Sequence, residues 1–371
     1  MPTTLMLRID LPPAPDDARL DLVIDWLTTS RAPDASEWDR IARASEDASF
    51  RRYFRVTSAS GATAIVMDAP PPQEDVRPFV NMTHLLASGG VQSPQGGVQS
   101  PQGGVHVPEL FASDEGRGFL LLGDMGGTTY LSELQTANAD RRDLLFADAI
   151  ATLVQLQRID PSHASAPLPH YDAALLRREI TLFPDWYLDR HCNAALSDDE
   201  KNALERVYAT LIASALAQPT VLVHRDYMPR NLMVTSERNP GVLDYQDAVI
   251  GPITYDVASL MRDAFLSWEE PQVIDWVVRY WDQAKKAGLP VRADFSEFYR
   301  EMEWMGLQRH LKVMGIFSRI NYRDGKPKYL ADTPRFVAYV RHVAKRYQAF
   351  APLLRLFDRL EGNAAKVGYT F

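Results

Sequence analysis

The sequence predicts an α+β protein of two lobes, with a small antiparallel-sheet lobe at the N-terminus and a larger helical lobe after it. Three observations point there. The chain has 371 residues, more than one hydrophobic core usually organises. Strand-like runs crowd its first part, and helical periodicities fill most of the remainder. A glycine-rich break, Gly123-Asp124-Met125-Gly126-Gly127, separates the two regimes and sets the boundary between residues 1–124 and 125–371.

In chain order, Leu20, Leu22, Val23, Ile24, Trp26 and Leu27 follow Asp16-Asp17 at a spacing that reads as a leading helix. Residues 50–56 and 62–67 are β-prone and flank the turn-rich Ser58-Ala59-Ser60-Gly61, so they read as a hairpin. Residues 79–86 suggest a helix. The word Gly-Gly-Val-Gln-Ser-Pro-Gln then occurs twice between Gly89 and Gln102, and a diverged third copy starts at Gly103. Repeats so poor in large apolar residues cannot bury enough surface to order themselves, which predicts a mobile loop over 89–104 that expands a connection. Residues 119–122 read as a buried strand. Beyond the break, helical patterns cover 144–156, 175–188, 203–216 and 336–360, and they frame one β-rich segment at 220–243.

The net charge of −8 gives no support to a nucleic-acid or anionic-membrane partner. No apolar run approaches the roughly 20 residues of a membrane span, and the start Met1-Pro2-Thr3-Thr4 lacks a secretory signal. Cys192 is the sole cysteine, so an intrachain disulfide and a cysteine-based zinc site are both excluded. A cytoplasmic setting is the expectation.

Chemistry concentrates in one stretch. Val221-Leu222-Val223 reads as a strand delivering His224-Arg225-Asp226, the pattern resumes at Asn231 five residues after the Asp, and Val242-Leu243 delivers Asp244. Strand ends hold polar groups rigidly, as an in-line displacement requires. Phosphoryl transfer needs a carboxylate at the attacking hydroxyl and hard oxygen ligands for Mg2+ bridging the phosphates of ATP. Asp226 fits the first role, and Asn231 with Asp244 fits the second. A polar turn would account for a bare His-x-Asp, with His224 structural, but not for all three spacings together.

The words His224-Arg225-Asp226-Tyr227-Met228-Pro229-Arg230-Asn231 and Leu243-Asp244-Tyr245-Gln246-Asp247 resemble those of the aminoglycoside phosphotransferase and choline kinase superfamily. Its members are small-molecule kinases with a two-lobed protein-kinase-like fold. Gly251-Pro252-Ile253-Thr254-Tyr255-Asp256 extends the likeness, which implies a structural role for Asp256. Protein kinases place a lysine two residues after the Asp, where this chain has Met228, and no Asp-Phe-Gly word follows.

One part of the machinery is missing. Kinases of this fold usually hold the phosphates with a strand-borne lysine paired to a helix glutamate. No lysine precedes Lys201, and Met67 stands where Ala64-Ile65-Val66 would lead to it. Ser49-Phe50-Arg51-Arg52-Tyr53-Phe54-Arg55-Val56 supplies arginines instead. Strand alternation sets Arg52 with Phe54 and Val56, and Arg51 with Arg55 on the other face. If Phe54 and Val56 face inward, Arg52 reaches the cleft, and it, or failing it Arg51, replaces the lysine, with Arg230 adding charge from the other lobe and Ser49 as a further nucleotide-binding candidate. Adenine is expected against the backbone around Gly123 and Met125. A catalytically silent nucleotide-binding adaptor would also lack the lysine, but it has no reason to retain Asp226, Asn231 and Asp244.

A narrower likeness runs from about Ser45 to Pro334. Asp47-Ala48-Ser49-Phe50-Arg51-Arg52-Tyr53, Met67-Asp68-Ala69-Pro70-Pro71, Leu182-Phe183-Pro184-Asp185-Trp186 and Tyr322-Arg323-Asp324-Gly325-Lys326 are similar to the bacterial N-acetylmuramate/N-acetylglucosamine anomeric kinases of cell-wall recycling. That likeness implies transfer of the ATP γ-phosphoryl group to the C1 hydroxyl of an amino sugar. Candidate acceptor contacts are Glu179, Asp185, Trp186, Arg309, His310 and Arg323, a mixture of signs that favours a neutral or acidic sugar over a polycation. Another hydroxylated metabolite or an aminoglycoside is the competing acceptor.

Overall fold

The computed structural model describes residues 8–10, 17–30, 38–45, 50–89 and 104–362. Ser49 and nearly all of the repeat, 90–103, lie outside them. The chain forms two compact units: Met1–Thr136 with Ile159–Pro167 and Arg230–Asp247, and Ala137–Arg158 with Leu168–Pro229 and Ala248–Phe371.

The first unit is built on a six-stranded sheet. In chain order its elements are β1 (Arg8–Asp10), α1 (Ala18–Leu27), β2 (Trp38–Ser45), β3 (Arg52–Ser58), β4 (Thr63–Asp68), α2 (Arg77–Ser88), β5 (Leu110–Asp114) and β6 (Phe119–Gly123). The spatial order is β1-β2-β3-β4-β6-β5, antiparallel throughout except for the parallel edge β1. The hairpin expected from the sequence is β3 and β4, and Phe54, Val56 and Ser58 alternate into the interior as its period of two requires.

One face of this sheet is covered by α1, whose Val23, Trp26 and Leu27 pack on Trp38, Ile41, Phe54, Val56, Ala64, Val66, Phe119 and Leu121. Burying such side chains contributes roughly 1.5–3 kcal/mol each, far above any surface ion pair, so apolar packing fixes the helix there. Asp17 caps it by accepting from the Leu20 N–H at 3.0 Å. The register sets Tyr53, Arg55, Ile65, Met67, Leu120 and Leu122 on the opposite face. Between β5 and β6, Gly118 takes φ +75°, and a Cβ there would stand 1.9 Å from the Ala69 carbonyl oxygen.

After β6 come α3 (Tyr130–Leu134), α4 (Ala139–Gln157), α5 (Ala173–Ile180), a π-type helix (Phe183–His191) and α6 (Asp198–Leu216). The β-rich segment is β7 (Thr220–Val223), β8 (Leu232–Met233) and β9 (Gly241–Val242), followed by β10 (Val249–Pro252). β8 and β9 form a hairpin within the first unit, whereas β7 pairs with β10 in the second. The remaining helices are α7 (Tyr255–Met261), α8 (Glu270–Lys286), α9 (Phe295–Asp324), α10 (Thr333–Arg346) and α11 (Ala351–Leu360).

The 30-residue α9 is the axis of the second unit, with a buried midsection that packs on the π-type helix, α6, α7 and α10. Gly315 makes the closest approach: a Cβ there would lie 2.3 Å from the Leu182 backbone. The helical pattern over 175–188 is interrupted after Ile180, and that over 336–360 breaks where Tyr347 turns extended before Pro352 opens the next helix. Among the described residues no helix is long and apolar enough to cross a membrane.

Candidate active site

Asp226 stands on a loop that the second unit anchors from several sides. Asp256, fully buried at the start of α7, accepts the His224 N–H at 2.7 Å and the Arg225 N–H at 3.0 Å. Burial pushes its carboxyl up to about 7, against the pull of those two donors. The Asp226 N–H reaches His224 Nδ1 at 3.3 Å, and the Tyr227 hydroxyl donates to the Ala149 carbonyl at 2.8 Å. Arg225 takes φ +74°, a left-handed conformation that costs a residue with a Cβ roughly 1–2 kcal/mol.

The Arg225 side chain ends on Glu179 of α5, Nη2 to Oε1 at 2.5 Å. Lys312 Nζ donates to the same oxygen at 2.8 Å and to the Tyr255 hydroxyl at 3.0 Å, while the Tyr171 hydroxyl donates to Glu179 Oε2. Burial alone would raise the Glu179 carboxyl, but Lys312 and Arg225 hold it below its ordinary value. Glu179 is 5 % exposed with both oxygens occupied. The expectation that it contacts a sugar is therefore corrected: it is an interior anchor of the loop that carries Asp226.

Asn231 and Asp244 belong to the first unit, where the β8–β9 hairpin brings them together. The Leu243 N–H donates to the Asn231 carbonyl at 2.9 Å, and Asn231 Nδ2 lies 3.2 Å from Asp244 Oδ2. Asp244 has φ +64°, and Gln246 Nε2 donates to its Oδ1 at 2.8 Å. An amide and a carboxylate held head to head offer hard oxygens, which suits a hard divalent cation such as Mg2+ and not a soft one. Arg230 is half-buried in the turn Pro229–Asn231, next to Asn231 in the chain.

The two candidate arginines part company, and the expectation for Arg52 is corrected. Phe54 and Val56 face α1. Arg52 shares that face and is bound by Asp17 (Nη1 to Oδ2 2.5 Å) and by the fully buried Asp68 (Nη2 to Oδ2 2.6 Å), to which Arg19 also donates. Arg51 instead lies 3.8 Å from Asp244 Oδ1 through Nη2, and 3.8 Å from Glu74 Oε2 through Nε. Glu74 also takes the Phe50 N–H at 3.2 Å. Sequence reasoning missed Glu74. Its signal was position, an acid three residues ahead of the helix that follows β4, close to the helix that usually carries the lysine's glutamate partner.

Arg55 donates to Asp124 from Nε at 2.6 Å and Nη2 at 3.0 Å, and Nη2 also reaches the Gly126 carbonyl at 3.0 Å. This ties the linker to β3. The Gly123 N–H is taken by the Glu109 carbonyl at 2.8 Å, and Met125 lies so close over Gly241 that a Cβ there would stand 2.8 Å from its Sδ. Gly123 and Met125 line a cleft of about 1160 Å³ whose wall also includes Thr83, His84, Val107 and Thr235.

A family model for phosphotransferase enzymes matches residues 40–295. The chain belongs to the phosphotransferase enzyme family. It is 53% identical over 324 residues to an N-acetylmuramate/N-acetylglucosamine kinase of Pseudomonas putida, covering 87% of this chain and 89% of that one. A protein of the same name from Pseudomonas aeruginosa is 48% identical over 94% of this chain and 99% of its own. The GDP complex of aminoglycoside 2'-phosphotransferase-IIIa superposes with a TM-score of 0.56 at 15% identity, over 89% of this chain and 99% of that one, and shows the two-lobed kinase-like fold.

The other acceptor candidates scatter over the second unit of this phosphotransferase. Arg309 and His310 are 2 % and 1 % exposed within α9, and the His310 ring stacks on Tyr339 at 4.8 Å. Burial holds that imidazole well below its ordinary value, so it is neutral. These two are corrected from acceptor contacts to interior residues. Arg323 is exposed at the end of α9 and pairs with Asp324 at 2.6 Å. Asp185 is exposed and Trp186 half-buried on the π-type helix.

Proposed function

We propose that this chain is an ATP-dependent kinase that transfers the γ-phosphoryl group to the anomeric C1 hydroxyl of N-acetylmuramate, N-acetylglucosamine or both. The observation that carries the reading is the 53% identity to a kinase named for those two sugars, spread over 87% of the chain. In this reading residues 1–124 form the nucleotide-binding lobe, and residues 125–371 carry the catalytic loop and the acceptor site.

Asp226 accepts the proton of the C1 hydroxyl as its oxygen bonds to the γ-phosphorus and the bond to the ADP oxygen breaks. An anomeric hydroxyl is more acidic than an ordinary alcohol, so a carboxylate suffices as its base. His224 and Asp256 fix the backbone on which Asp226 sits. Asn231 and Asp244 are the residues that would hold Mg2+, which would neutralise phosphate charge when bound. Arg51, oriented by Glu74, takes the place of the absent lysine, and Arg230 adds a second cation near Asn231. The linker backbone around Gly123 and Met125 receives the base.

Arg225 and Lys312 share one carboxylate, Glu179, and both lie within electrostatic reach of Asp226. ADP release measured over N-acetylmuramate, N-acetylglucosamine, choline, homoserine and kanamycin tests the reading. Turnover confined to the last three would overturn it.

A further inference from the structure

Arg225 adopts a backbone conformation that disfavours every residue with a Cβ, one position before Asp226. A glycine would take φ +74° freely, so something in the fold must hold an arginine there. Its backbone N–H is bound by Asp256, and its guanidinium by Glu179, which reaches in from α5, 46 residues earlier in the chain. Glu179 is rigid in turn: Lys312 from α9 and Tyr171 both donate to it, and Lys312 is tied to Tyr255 of α7. The carboxylate that takes the Arg225 guanidinium is thus itself fixed from α9 and from Tyr171, within the second unit.

We propose that Glu179 is a positioning residue, which pins Arg225 in the left-handed conformation and thereby aims the Asp226 carboxylate at the acceptor hydroxyl. The inference rests on the reading of Asp226 as the proton acceptor. It assigns to Arg225 a backbone task and not a direct electrostatic one. Holding a base within a narrow angular range governs how often the bound hydroxyl is in a reactive geometry, and so acts on kcat. Nucleotide affinity, which Arg51 and the metal ligands supply, is left alone.

Two substitutions at one position separate the backbone task from charge. Arg225→Gly and Arg225→Ala both delete the guanidinium, but only the alanine keeps the cost of a Cβ at positive φ. The glycine variant should turn over about tenfold faster than the alanine variant, with KM for ATP within about twofold in both. Glu179→Gln should lower kcat about tenfold in the native background and less than about twofold in Arg225→Gly, because its target is gone.

Equal kcat for the glycine and alanine variants would overturn the proposal, as would an equal loss from Glu179→Gln in both backgrounds. If Glu179→Gln does not fold, the comparison at position 225 still decides. Failure of the underlying reading looks different: Asp226→Asn would then turn over like the native protein.

Discussion

Arg51 Nη2 stands 3.8 Å from the Asp244 carboxylate, and its Nε is equally far from Glu74. In the proposed reading this cation, placed between the metal-binding Asp244 and a second acid, would do what a strand lysine does elsewhere in this fold, but from the residue just ahead of β3 instead of from β4. Arg51→Ala is expected to raise KM for ATP about tenfold or more, and Glu74→Gln by about threefold to tenfold, in steady-state kinetics. Arg52→Ala, which disturbs only the α1-covered face, should leave KM for ATP within about twofold.

Asp68 is a matter of stability. It is fully buried, with Arg19 and Arg52 both donating to it. Removing one partner of a buried charge cluster costs about 3–5 kcal/mol because the others keep their desolvation penalty. Asp68→Asn should lower the unfolding free energy by about that amount, read from a denaturant titration, while KM for ATP holds.

The proposed metal ligands Asn231 and Asp244 predict a different signature. Asp244→Asn removes the anionic ligand and should reduce kcat by more than about a hundredfold at any Mg2+ concentration. Asn231→Ala removes a neutral one and should raise the Mg2+ concentration for half-maximal rate about tenfold, with most of kcat recovered at saturation. Mg2+ titration of the two variants checks this.

Acid should weaken the second unit through Glu270. Burial alone would raise its carboxyl, yet hydrogen bonds from Tyr299 and Arg262, with Arg346 beside them, bring it from 4.5 to about 2. A carboxyl depressed in the folded state stabilises above its unfolded value, and that contribution is lost as pH falls from 4.5 towards about 2. Partial exposure limits it to about 2 kcal/mol. Glu270→Gln should lower Tm at pH 7 and flatten its decline between pH 4.5 and 2.

Regular alternation and unbroken helical faces made much of the fold legible. Phe54, Val56 and Ser58 gave away β3, and Leu20 to Leu27 gave away α1. β2 was hidden because register shifts beside Trp38 and Arg43 break its period of two, so its buried Trp38 and Ile41 sit three apart. In α9, buried Glu301, Glu303, Gln308, Arg309, His310 and Lys312 mimic a solvated face, which turned interior residues into apparent sugar contacts. The proximity of Asn231 and Asp244 was readable because both lie in one short segment. The Arg51–Glu74 pairing was not, because strand alternation leaves open which face of the sheet α1 will cover.

The most direct test follows the reducing end of the sugar. Purified protein with ATP, Mg2+ and N-acetylglucosamine or N-acetylmuramate should consume reducing ends in step with ADP release, since phosphate on C1 locks the anomeric carbon, and Asp226→Asn should abolish both. ADP release with reducing ends intact would place the phosphate on another hydroxyl, and no turnover with either sugar would remove the acceptor altogether; either result contradicts an anomeric amino-sugar kinase.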